Sequence, residues 1–330
     1  MYPTQEPSQA PRVRPRLRSI ASRDSDTRTT ELGRRLGHDL FTGRARDLDE
    51  TWPDSVREGY AQAMASAAQR HRTDRYERKW LLLRLNACRR SRIVDEAVTP
   101  ALLRAIDVQF CPVTRRRLTH GTQGADDWSI DRINNDGAYA PSNLAVLSVR
   151  ANAAKASLAF DDVIALSRAT EPVQGLIPKE WLRMAALMLG PCHAAQPVAV
   201  PVIPLVVALP PGLAITPMQL IQHAFASHAG TSRGKNLLAK YFRAACPLEA
   251  GRQRLGLLCE TLHAAAKPLE HTCDAWLRPE PMAALLAWRS VLDETSWSLA
   301  GALASSLVGS RVVDRSRVVA WHLDTRGYEH

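Results

Sequence analysis

No two cysteines of this chain form a C-x-x-C pair. Cys88, Cys111, Cys192, Cys246, Cys259 and Cys273 are scattered, which argues against a four-cysteine zinc ribbon or a disulfide framework and predicts reduced thiols. Cys259 and His263 share a helix face at i, i+4, and His271 and Cys273 follow. Pro268 interrupts that helix, so buried thiols and capping histidines are expected there, not a structural zinc. No long apolar run is free of proline. The most apolar window carries Pro197, Pro201, Pro204, Pro210, Pro211 and Pro217, which excludes a membrane helix. The first residues hold arginines without an apolar h-region, so a secretory signal is not expected and a cytoplasmic location is. Ser232-Arg233-Gly234-Lys235 lacks the first glycine of a phosphate-binding loop, and no internal repeat is visible.

What is present is charge and helical periodicity. The 330 residues are 45% hydrophobic, enough for a real core, and Lys plus Arg exceed Asp plus Glu by 43 to 33, a net charge of +10. That balance favours polyanionic partners. Residues 1–35 are rich in Pro, Ser, Thr and Arg, with Arg12, Arg14, Arg16 and Arg18 alternating, and are expected to form a disordered basic arm. A helical region is expected over 36–106. It includes a helix opening at Asp54 and Ser55 with Tyr60, Met64, Ala67 and Ala68 on its apolar side, one over Arg75 to Ala87, and one from Pro100 to Ile106. Arg84, Arg89, Arg90 and Arg92 form a basic run that serves either as a solvated face or as a phosphate-facing surface. Helices are predicted at Phe160–Ala169 and Pro178–Leu189. A Pro-rich linker or packed extended chain closes the 171–215 segment. An all-helical domain is expected over 216–330, opened by Thr216 as N-cap and Pro217 in the first turn.

Between these helical regions, residues 107–170 hold a different pattern. Trp128 to Lys155 reads as strand, turn, strand and helix start. Asn134, Asn135, Asp136 and Gly137 form one turn signal, and Pro141, Ser142 and Asn143 a second. Metal-assisted phosphodiester cleavage needs a divalent cation, hard oxygen ligands and a base. Asp131 and Asn152, 21 residues apart, supply a carboxylate and an amide oxygen from a strand end and a helix.

At these residues the chain resembles the HNH, or ββα-metal, endonuclease family. The resemblance covers roughly residues 110–158 and includes the entry segment Cys111-Pro112-Val113-Thr114 through Leu118. It implies a mainly α, α+β chain with a small ββα-metal module between helical regions. It further implies Asp131 and Asn152 as ligands of a divalent cation, Mg²⁺ first with Mn²⁺ or Zn²⁺ as alternatives, Asn143 as the loop-bracing asparagine, and Lys155 near the phosphate. Where the family places its general-base histidine, this chain has Arg132, whose guanidinium accepts no proton at neutral pH. Three outcomes follow. His120 acts as an alternative base, or metal-bound water reacts slowly with Arg132 stabilising charge, or the module binds nucleic acid without cutting it. Asp126 and Asp127 are expected to cap or solvate the turn before Trp128. Arg115, Arg116, Arg117 and Arg150 are the expected nucleic-acid contacts. The two functional readings are therefore a metal-dependent endonuclease hydrolysing DNA phosphodiester bonds, and a non-catalytic module that binds DNA or regulates.

Overall fold

The structure is a computed structural model that describes residues 20–193, 200–309, 312 and 315–329. The chain divides into two compact units, Met1–Thr73 and Asp74–His330.

In the first unit, α1 (Ile20–Thr42) packs along α2 (Asp54–Ala65). Residues 20–35 thus belong to a helix where a disordered arm was expected; residues 1–19 lie outside the described residues. Leu36 and Leu40 recur at i, i+4 and are buried together with Val56, Tyr60 and Ala63, so the C-terminal half of α1 is anchored on α2 and the largely exposed residues before it extend the same helix. Two glycines permit the close approach. A Cβ on Gly37 would lie 2.0 Å from the Val56 carbonyl oxygen, and one on Gly59 1.9 Å from that of Arg34. The apolar side of α2 differs from expectation as well. Met64 is 56% exposed, and Ala67 lies beyond the helix in a turn with φ 52°.

The second unit begins with α3 (Arg75–Arg89), capped by Asp74, whose carboxylate accepts from the Tyr76 and Glu77 backbone N–H groups. After α4 (Pro100–Ala105) come β1 (Trp128–Arg132) and β2 (Leu144–Ser148), an antiparallel pair with Trp128 opposite Ser148 and Arg132 opposite Leu144. Ser148 ends β2 and caps α5 (Val149–Lys155) by accepting from the Ala151 N–H, which turns the chain from strand to helix without a loop. The remaining elements are helical: α6 (Phe160–Leu166), α7 (Pro178–His193), α8 (Pro217–Ala229), α9 (Ser232–Phe242), α10 (Glu249–Ala266), α11 (Pro279–Arg289), α12 (Glu294–Val308) and α13 (Arg315–Trp321). The protein is thus mainly helical, with one two-stranded sheet followed by helices. Thr216 and Gln219 form a capping box at α8, with Pro217 in the first turn.

The boundaries expected near 106, 170 and 215 all fall inside this unit. One hydrophobic core runs from Leu83 through the hairpin and α7 to Ala304, with Trp181, Trp276 and Trp288 fully buried in it. The described part of the Pro-rich segment packs as extended chain: Leu205, Val206, Val207, Leu213 and Ile215 are buried. A polar clamp reinforces the join. Asp274 accepts two bonds from Arg115, at 2.8 and 2.6 Å, and one from Lys179 at 2.7 Å. Burial pushes the Asp274 carboxyl up, but these bonds and charges outweigh it and hold it below its ordinary value. No helix among the described residues is long and apolar enough to cross a membrane.

Candidate functional site

Side chains alternate along a strand, so Ser129 and Asp131 leave β1 on one face, while Asn152 and Lys155 stand one turn apart on α5. These two pairs meet. The Asn152 Nδ2 donates to Ser129 Oγ at 2.7 Å, and the Lys155 Nζ lies 3.0 Å from Asp131 Oδ2. The ammonium is fully buried. It also donates to the Arg132 carbonyl oxygen at 2.8 Å and to Asn135 Oδ1 at 3.1 Å. It thus donates to a carbonyl and an amide oxygen and forms an ion pair with a carboxylate, an all-oxygen environment of the kind that suits a hard cation.

This arrangement does not fit the divalent ion that the family resemblance implies. No regular hydrogen bond reaches Asp131 Oδ2, so its charge is balanced by the Lys155 ion pair. A second cation sharing that oxygen would stand about 4 Å from an ammonium, a repulsion of roughly 8 kcal/mol at an effective dielectric of about 20. Burial is the largest influence on Asp131 and pushes its carboxyl up; the Lys155 charge and bond oppose it without cancelling it.

Lys155 is therefore not placed to touch a phosphate, and Arg132 is turned inward too. Arg132 is buried, and its Nη1 donates to the carbonyl oxygens of Gly137 at 2.8 Å, Asn135 at 3.2 Å and Arg326 at 3.4 Å. Its guanidinium lies over the Tyr139 ring at 5.1 Å. A Cβ on Gly327, which has φ 70°, would fall 2.2 Å from Arg132 Nη1. Arg132 thus ties the hairpin loop to the C-terminal segment.

Asn143 braces the loop. Fully buried, its Oδ1 accepts from the Asn134 N–H at 2.8 Å, and its Nδ2 donates to the carbonyls of Asn134 and Ala138 at 3.0 and 2.9 Å. Gly137 is required beside it, since a Cβ there would lie 2.6 Å from both Asn143 Nδ2 and the Trp321 ring.

His120 sits elsewhere. It is exposed, lies tilted against Trp128 with ring centroids 5.1 Å apart, and does not line the cleft that Asp131 faces. Asp127 organises that corner, accepting from the Thr119 and Thr122 hydroxyls and the Gln123 N–H. The Thr119 bond is the largest influence, and the carboxyl is lowered to about 2. Its stabilisation is complete above the unfolded carboxylate value and is lost as pH falls through about 2. Of the expected nucleic-acid contacts, Arg115 is committed to Asp274, Arg116 pairs with Asp126 at 2.7 Å and Arg150 with Glu180 at 2.7 Å. Arg117 is exposed.

The cleft above β1 and α5 has a volume of about 1140 Å³. Arg90, Arg92, His193, His322, Arg326 and Tyr328 line it together with Asp131 and Asn152. Arg90 and Arg92 lie in the basic run visible in the sequence. The rest were not anticipated, because they arrive through long-range contacts. Residues 321–329 cross beneath the hairpin loop, with Ala138 N–H bonded to Trp321 O, Leu323 N–H to Asp136 O, and Ile93 N–H to Gly327 O. No family model, curated protein or solved structure matches this chain.

Proposed function

We propose that this protein binds nucleic acid through a ββα module of HNH type in which the Lys155 ammonium has taken the place of the metal ion, so that it binds without cutting. The observation that carries this reading is the buried ammonium held by Asp131 Oδ2, Arg132 O and Asn135 Oδ1. The missing general base agrees with it. Arg132 cannot accept a proton, and His120 lies against Trp128 outside the cleft. The net charge of +10 supplies the attraction for a polyanion, with DNA as the expected partner.

The test is DNA binding measured in EDTA and in Mg²⁺, followed by incubation with supercoiled plasmid. Binding should be salt-sensitive and unchanged by EDTA, and the plasmid should stay supercoiled. Mg²⁺-dependent nicking that disappears in Asp131→Ala would instead establish the endonuclease reading.

A further inference from the structure

The arginines in the cleft differ from most of those elsewhere on the ββα module, where the exposed Arg117, outside the cleft, lacks a carboxylate partner among the described residues. Arg115, Arg116 and Arg150 are each neutralised by a carboxylate. No carboxylate among the described residues pairs with Arg90, Arg92 or Arg326, although they come from opposite ends of the unit and line one cleft. Arg92 is the most constrained. Its guanidinium lies 3.4 Å from the Tyr328 ring centroid, and its Nη1 is buried without a hydrogen-bond partner. Burial and then the neighbouring Arg132 charge push Arg92 down from its ordinary value. An anion would relieve both the unmade bond and the crowded charge.

The cleft is also asymmetric. Asp136, Asp161 and Asp162 line it from the hairpin loop and α6, so a polyanion lying along its whole length would meet carboxylates. A ligand with a phosphate at one end and a neutral, hydrogen-bonding ring at the other fits this distribution. Tyr328 carries Arg92 on its ring yet remains 41% exposed, leaving aromatic surface for stacking. Asn152, whose Nδ2 is taken by Ser129, adds an amide oxygen. A volume of about 1140 Å³ accommodates a nucleotide unit, whereas a duplex presents two phosphate rows and no free base face.

We propose that this cleft binds an unpaired nucleotide of single-stranded nucleic acid, its phosphate held by Arg90, Arg92 and Arg326 and its base stacked on Tyr328. The proposal rests on the nucleic-acid reading above and narrows it to single strands. The C-terminal segment supplies Arg326 and Tyr328, so the site is complete only when that segment is docked.

The experiment is fluorescence anisotropy of short labelled oligonucleotides, single-stranded and duplex, with the full chain over a range of salt. Single strands should bind at least about 10-fold more tightly than duplex. Arg90→Gln with Arg326→Gln, both at exposed positions and checked by thermal melting, should weaken single-strand binding by at least about 10-fold and reduce the salt slope by about 1.4. Tyr328→Ala should cost about 5- to 100-fold. If single strands bind but these variants bind as the wild type does, the cleft is the wrong place and the nucleic-acid reading stands. Tighter binding of duplex overturns the single-strand proposal. Absence of binding to either overturns both. Displacement of the oligonucleotide by micromolar inorganic phosphate at constant ionic strength would mark a free-anion site and overturn the proposal as well.

Discussion

Lys155→Met is expected to destabilise the Asp74–His330 unit by about 3–5 kcal/mol, because it leaves the Asp131 carboxylate buried without its counter-charge. Methionine fills much of the same volume, so the loss reports charge more than cavity. The Arg132 carbonyl and Asn135 Oδ1 also lose their donor. The pH dependence separates these effects. Burial already holds the Asp131 carboxyl above its ordinary value, and removing the ammonium removes the main opposing influence, raising it further. A carboxyl raised in the folded state penalises folding at neutral pH, and the penalty fades as the pH falls toward the unfolded carboxylate value. Urea unfolding should therefore show the gap from wild type narrowing as pH is lowered from 7. Asp131→Asn combined with Lys155→Met should recover part of the loss, since it removes the unpaired charge.

The second large effect is expected at Asn143→Ala, about 2–4 kcal/mol, because three backbone groups of the 134–138 loop lose a buried partner at once. Asn143→Asp is the informative comparison. A carboxylate can still accept from the Asn134 N–H but cannot donate to the Asn134 and Ala138 carbonyls, so it should be at least as harmful as alanine despite its shape. Denaturant unfolding of both variants checks this. A cost below about 0.5 kcal/mol would mean that water or loop relaxation replaces the brace.

The hairpin and its helix were legible because local signals agree there. The Asn134 to Gly137 run turns the chain after β1, and Pro141, Ser142 and Asn143 give a second turn signal immediately before β2. The start of α8 was legible for the same reason, through Thr216 and Pro217. What was not legible depends on distant chain. The family resemblance implies Lys155 as a helix lysine near the phosphate, and only its proximity to Asp131 and Asn135 turns it into an internal cation. Arg132 stands in the sequence as a replacement for the base that could stabilise charge on a phosphate, and only residues 326 and 327 explain its inward orientation. Residues 20–35 read as disordered because they offer little apolar surface; from 27 to 35 only Gly33 is buried, and the segment extends a helix that Leu36 and Leu40 anchor on α2. The separate domain expected from 216 dissolves into the core shared with the hairpin, since a helical pattern reveals an apolar face but not which neighbour covers it.

The central claim is that the cation of this ββα module is Lys155. Manganese(II) titration of the full chain, followed by the loss of the free-ion paramagnetic resonance signal, tests it most directly. With Lys155 in place, the protein should show no Mn²⁺ site that depends on Asp131, and Asp131→Ala should give the same titration as wild type. A single Mn²⁺ bound by the wild type and lost in Asp131→Ala would contradict the claim and return the metal to the site.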